Sequence, residues 1–135
     1  MIATMDHIVI NALEVEVMVG FYVEVLGLAP ERVEAYRQGE APFPSVRLNE
    51  ETIIDVFPRE MWAGPGIAGP GRENMNHFCL TVTRTDWEAL RDRLASHGVE
   101  IEVGPVPRWG ARGVGTSIYF RDPEDNLVEA RTYDA

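Results

Sequence analysis

The sequence predicts an α+β fold built from two βαβββ modules. Three observations carry that expectation: the chain repeats itself, its apolar residues switch between period-two and helical spacing, and one Gly/Pro-rich stretch separates the repeats. Residues 6–28, DHIVINALEVEVMVGFYVEVLGL, and residues 76–99, NHFCLTVTRTDWEALRDRLASHGV, each run from a polar residue through a histidine, an apolar strand and a helix to a glycine stop. His7 and His77 stand 70 positions apart; Asp55 in TIIDVFP and Glu129 in NLVEART stand 74 apart. Between the copies, AGPGIAGPGR (63–72) can neither continue a helix nor join a central strand. It reads as a linker between module 1, about 1–62, and module 2, about 73–135, within one domain.

Each element follows from period and punctuation. In the first helix Met18, Phe21, Tyr22, Val25 and Leu26 recur at i, i+3, i+4, i+7 and i+8, and Gly27 supplies the stop. The second helix opens at Thr85 with Glu88 three residues later, turns Trp87, Leu90 and Leu94 inward, and ends at Gly98. One strand precedes each helix and three short ones follow. Those are expected near 30–36, 44–48 and 52–58 in module 1, and near 100–104, 116–121 and 127–132 in module 2.

Composition narrows the chemistry. The chain has 135 residues and a formal charge of −10, which disfavours nucleic acid and anionic membranes as partners, because both reward clustered positive charge. All 12 basic residues are arginine, so Schiff-base chemistry and a lysine general base are excluded. A single cysteine permits no internal disulfide, and neither a membrane-spanning run nor a signal peptide is visible. A cytoplasmic protein is the expectation.

Strand alternation sorts the chemistry-bearing residues. Ile8, Ile10, Ile54, Val56, Phe78, Leu80, Val128 and Ala130 form an apolar set suited to lie under the helices. His7, Asp55, His77 and Glu129 fall on the opposite set, the open face of a sheet expected to be antiparallel. Two imidazoles and two carboxylates are costly to bury unpaired, and a divalent metal ion (Zn, Ni, Fe, Mn or Co) removes that cost. For Asp55 the alternative is a solvated or arginine-paired strand residue.

The stretches DHIVI, FYVEVLGL, NHFCLTV, GVEIEVGPV and SIYFRDPEDNLVEA together resemble the vicinal oxygen chelate superfamily, which includes glyoxalase I, extradiol dioxygenases and the metal-free bleomycin-resistance proteins. That resemblance covers nearly the whole chain. It implies the glyoxalase/bleomycin-resistance/dioxygenase-like fold, a metal held by His7, Asp55, His77 and Glu129, and a homodimer in which sites are shared between chains. The turn usually written DPDGN reads DPEDN here, which places Asp125 where a positive φ is expected.

Further residues are candidates for substrate. The segment PVPRWGARGVGTS (105–117) reads as a glycine-rich loop whose Arg108 and Arg112 suit an anionic small molecule. Ser117, Tyr119 and Arg121 alternate onto the Glu129 side, which makes Ser117 and Tyr119 candidates for contacting substrate oxygen. Cys79 reads as cavity lining, and His97 as a favourable charge at a helix C-terminus. The expected activity is metal-dependent lyase, isomerase or epimerase chemistry on a substrate chelated through adjacent oxygens, with Asp55 or Glu129 as proton-transfer base. Two alternatives stand beside it: an Fe(II) extradiol-type dioxygenase using His7, His77 and Glu129, and a metal-free drug-binding protein.

Overall fold

The computed structural model describes residues 2, 5, 7–63, 75, 77–110 and 112–134. Most of the expected linker, 64–72, lies outside the described residues. The chain forms two compact units, residues 1–74 and 75–135.

In the first unit the elements are β1 (His7–Asn11), α1 (Val15–Gly20), β2 (Ala29–Glu31), α2 (Val33–Arg37), β3 (Ser45–Arg47), β4 (Ile53–Phe57) and α3 (Arg59–Trp62). The sheet order is β1-β4-β3-β2. The sheet is mixed, which corrects the antiparallel expectation: β1 runs parallel to β4, while β3 runs antiparallel to both β4 and β2. Helix α1 continues as a π-helical turn, Phe21–Val25. The wider turn lets the consecutive aromatics Phe21 and Tyr22 both be buried, ring against ring at 5.4 Å. With Met18 and Val19 they form the module's core beside Ile10, Val46, Ile54 and Val56, each at most 3 % exposed. Gly27, at φ 76°, ends the helix as its sequence position demands.

The strand expected over 30–36 is shorter than the sequence suggested. Arg32 adopts a left-handed φ of 58°, breaks β2 after Glu31 and starts α2. Arg37 then holds α2 to α1 through Glu16 at 2.8 Å and braces its own helix through Glu34 at 2.6 Å.

The second unit repeats the plan with β5 (Phe78–Thr81), α4 (Arg84–Ser96), β6 (Val103–Gly110), β7 (Gly113–Arg121) and β8 (Leu127–Thr132), in the order β5-β8-β7-β6. Again the first and last strands are parallel and the remaining pairs antiparallel. The N-cap of α4 is Thr83, two residues before the expected start. Its hydroxyl accepts from the Asp86 N–H at 3.1 Å and lies 3.0 Å from the Asp86 carboxylate, so Asp86 takes the place at the helix start that Glu88 was expected to fill. Trp87, Leu90 and Leu94 are buried, and the Trp87 indole N–H donates to the Ala130 carbonyl at 2.9 Å.

The presumed loop 105–117 is a β6–β7 hairpin instead. Its two prolines sit in β6, the edge strand, where a missing N–H is tolerated. Asp125 does take a positive φ, 66°, in a turn held by the buried Asp122 carboxylate. That group accepts from the N–H of Glu124, the N–H of Asn126 and the Asn126 side-chain amide. Among the described residues no helix is long and apolar enough to cross a membrane.

Candidate functional site

Register places the key side chains in rows across each sheet. In the first module Val9, Asp55 and Ser45 are direct neighbours across β1, β4 and β3, with Glu31 following on β2. Partners in register share a face, so Asp55 points away from the buried Ile54 and Val56. Asp55 is nevertheless only 6 % exposed. The Ser45 hydroxyl donates to its Oδ1 at 2.6 Å, and the Arg32 guanidinium approaches the same oxygen at 3.2 Å while donating to Ser45 Oγ at 2.6 Å. Arg32 also stands over the Phe43 ring at 5.1 Å. His7, the first residue of β1, is exposed two positions before Val9 on the same face.

The second module has the corresponding row Cys79, Glu129, Tyr119 and Val103, and one step along it Thr81, Arg131, Ser117 and Val106. Glu129 is 3 % exposed. Its Oε1 accepts from Arg131 Nη2 at 2.8 Å, and its Oε2 lies 3.4 Å from His77 Nε2. Burial pushes the Glu129 carboxyl upward, but Arg131, Ser117 and Tyr119 outweigh it and hold the group below the ordinary carboxylate value. Glu129 is therefore ionised at neutral pH. Tyr119 is raised, by burial first and then by the Glu129 charge. Ser117 is fully buried, and although close enough to help hold Glu129 down, its Oγ completes no hydrogen bond of good geometry among the described residues.

Cys79 is exposed as a residue, yet its thiol is packed closely enough that desolvation, and then the Glu129 charge, push it up to about 11. A thiol so shifted is a poor nucleophile at neutral pH. His97 caps the C-terminus of α4, and Arg121 reaches Glu102 at 3.2 Å and the Asp125 carbonyl at 3.0 Å, away from Glu129.

The remaining substrate candidates lie near the β6–β7 turn. Arg108 stands over the Tyr119 ring at 5.9 Å and Arg112 over the Tyr133 ring at 4.4 Å. Surface cavities occur elsewhere: one of about 400 Å³ is bounded by Val19, Val23, Arg32 and Val33, and another of about 540 Å³ by Leu28, Arg47 and Glu50. Neither is lined by a histidine, Asp55 or Glu129, and their walls offer no convergent chemistry, so the sheet faces are the better candidates.

A divalent ion, as the fold implies, can be tested against these donors. Within either module taken alone, no three His, Cys, Asp or Glu side chains converge among the described residues. Each module instead offers one imidazole and one buried carboxylate. Both carboxylates are anchored through one oxygen, Asp55 on Arg32 and Ser45, Glu129 on Arg131, and a carboxylate so oriented can offer its other oxygen to a cation. The donor types fit a borderline ion such as Zn, Ni, Fe, Mn or Co. Sequence reasoning missed Arg32, Arg131 and Tyr133. For Arg131 and Tyr133 the signal was available, since Arg131 in β8 and Tyr133 just after it continue the alternation that begins at Glu129.

The sequence matches the Glyoxalase/Bleomycin resistance protein/Dioxygenase superfamily over residues 4–130. The chain belongs to that superfamily. It is 30 % identical over 129 residues to the virulence protein STM3117 of Salmonella typhimurium, covering 95 % of this chain and 83 % of the relative. The crystal structure of that superfamily relative superposes with a TM-score of 0.79 at 27 % identity, over 99 % of both chains. The glyoxalase domain-containing protein RDO1 of Mycosarcoma maydis is 30 % identical over 135 residues, 98 % of this chain and 69 % of its own length. An integron cassette protein from the mobile metagenome of V. cholerae gives a TM-score of 0.74 at 27 % identity, over 99 % of this chain and 98 % of that one.

Proposed function

We propose that the chain is a divalent-metal-dependent enzyme acting on a small substrate bound through adjacent oxygens, with lyase, isomerase or epimerase chemistry of the glyoxalase kind. The observation that carries this reading is the duplicated half-site: each module presents a histidine and a buried carboxylate whose one oxygen is already anchored. His7, His77 and Glu129 would hold the ion, with Asp55 as fourth ligand. When bound, the ion supplies Lewis-acid polarisation of a substrate oxygen. Glu129, ionised at neutral pH, or Asp55 accepts the substrate proton. Arg108, Arg112 and Tyr119 orient the substrate, with the buried Ser117 acting through Glu129 from beneath. Since one module supplies only half the donors, two modules must combine, and we place that combination in a cytoplasmic homodimer.

One observation favours a second reading. Asp55 is held by both Ser45 and Arg32, which suits a three-ligand His7, His77, Glu129 site of the Fe(II) extradiol-dioxygenase type, with Asp55 off the metal. Elemental analysis of the wild type and two variants tests both. About one ion per chain is expected for the wild type, and none for His77→Ala. Asp55→Asn should weaken retention under the four-ligand reading and leave it unchanged under the three-ligand reading. A wild-type chain that takes up none of these metals, or His77→Ala retaining full occupancy, refutes the metal site.

A further inference from the structure

Building on this reading of the site, we infer that the β6–β7–β8 face of the second module carries a seat for a carboxylate, formed by the exposed Arg108 and Arg112 beside Tyr133 with the buried Arg131 bracing them from behind, and that the substrate is a small monocarboxylate.

The first observation is the partnering of the arginines. Arg32, Arg37, Arg47, Arg84, Arg121 and Arg131 each meet a carboxylate within 3.2 Å, as expected in a chain with 22 acidic residues. Arg59 and Arg91 meet none among the described residues, and neither do Arg108 and Arg112, which lie together at the β6–β7 turn. The last two stand over the Tyr119 and Tyr133 rings, and Arg108 otherwise donates to the Pro107 carbonyl at 2.9 Å. With Arg131 they bring three positive charges to a face whose described counter-charge is Glu129 alone. In a chain of net −10 such a local excess of cation calls for an anion from outside.

The second observation is how the cluster is fastened. The Tyr133 hydroxyl accepts from the Arg112 backbone N–H at 3.0 Å and from Arg131 Nη1 at 3.3 Å, while Arg131 also stands 5.5 Å from the Tyr133 ring. Arg131 Nη1 further reaches the Arg108 carbonyl at 3.4 Å, which ties the rear of the cluster to β6. Gly115 makes room for the ring: a Cβ there would fall 2.9 Å from the Thr132 carbonyl oxygen and 3.3 Å from Tyr133 Cδ1. Strand parity puts Arg108 and Val106 on one face of β6, and Val106 pairs with Ser117, the neighbour of Arg131. Arg108 and Arg131 therefore share the face that bears Glu129, and Arg112, in the turn between β6 and β7, joins them over the Tyr133 ring.

The geometry selects among anions. A guanidinium lying against an aromatic ring keeps its N–H edge open, and that planar fork matches a planar carboxylate. A phosphate dianion is less suited, because the fixed Glu129 charge on the same face repels the second negative charge.

The test uses isothermal titration of the purified protein, with and without chelator, with acetate, pyruvate and benzoate, each against its amide, and with inorganic phosphate. At least one carboxylate should bind with chelator present, its amide should not, and phosphate should bind more weakly. The exposed-site double variant Arg108→Gln/Arg112→Gln should weaken the carboxylate about tenfold or more. Gly115→Ala retains every charge but presses on the Thr132 carbonyl and the Tyr133 ring, and should weaken it as well, with circular dichroism verifying the fold of both. No carboxylate binding, equal binding of acid and amide, phosphate preferred, or full affinity in the folded double variant overturns the inference. Elemental analysis of the same samples separates the two ideas. Metal uptake without carboxylate binding sinks the seat alone, and arginine-dependent carboxylate binding without metal uptake sinks the metal enzyme alone.

Discussion

Replacing Arg131 with methionine should destabilise the protein severely, and the size follows from burial. Arg131 Nη2 and Glu129 Oε1 are 2.8 Å apart, with side chains 3 % and 4 % exposed, so solvent screening is slight. Removing one partner of a buried pair strands the other charge, at a cost of about 3–5 kcal/mol. For a chain of this length, with roughly 4 °C per kcal/mol, the melting temperature falls by about 12–20 °C at neutral pH. The loss should also depend on pH. In the wild type Glu129 titrates below its ordinary value, so its stabilisation is present above the unfolded carboxylate range and is lost as pH falls through the folded value. Without Arg131, burial dominates and the folded value moves above the unfolded one; that contribution is present in acid and lost as pH rises. The gap between wild type and Arg131→Met should therefore narrow from pH ~7 to pH ~4. Calorimetry in chelator measures both effects, and Glu129→Gln/Arg131→Met should recover much of the loss. A variant melting within about 3 °C of wild type, or a gap that stays constant with pH, would refute the assignment of this pair as buried and coupled.

Other perturbations have smaller, separable outcomes. Arg32→Ala loses the guanidinium and keeps the left-handed backbone, whereas Arg32→Gly relieves that strain, so the glycine variant should be the more stable by about 1 kcal/mol in urea unfolding. Trp87→Phe leaves the Ala130 carbonyl without its indole donor and should cost about 1–3 kcal/mol, read the same way. Mixing His7→Ala with His77→Ala chains under exchange conditions should restore one metal site in the mixed dimers if sites are shared between chains. Exchange verified by mass with no recovery excludes sharing.

The repeat was legible because both copies obey the same alternation: burial of Ile10, Ile54, Val56, Val128 and Ala130 is written directly in period two. Pairing direction was not, since whether β1 meets β4 parallel depends on the route of the chain between them and not on either strand. The break at Arg32 was hidden as well, because arginine carries no preference for a left-handed φ; tertiary bonds to Ser45 and Asp55 hold it there. The glycines of 105–117 pointed to a loop, and Pro105 and Pro107 are compatible with β6 because it is an edge strand. Of the candidate site, strand parity alone put Glu129, Tyr119 and Ser117 on one face, and carried to the end it would have added Arg131.

The two modules share a plan but not a chemistry, and the equivalent rows say where they diverge. Glu129 is flanked by Tyr119 where Asp55 is flanked by Ser45, and two residues further along the strand Arg131 stands where the first module has Phe57. Phe57 packs on Phe43 at 4.8 Å, with Arg32 over the Phe43 ring, so the first module's face continues as aromatic surface beside its ion-paired carboxylate. The second module's face continues as arginine and tyrosine. Side-chain length adds to the asymmetry. The shorter Asp55 keeps both described bonds on Oδ1, whereas Glu129 divides its oxygens between Arg131 and His77. The two faces thus differ in character: beside Asp55 lie two phenylalanines with Arg32 over one ring, and beside Glu129 lie arginines and tyrosines. Under the proposed shared site, a substrate with a charged, oxygen-bearing end and a hydrocarbon remainder would match both faces, and the carboxylate and amide pairs test for that class.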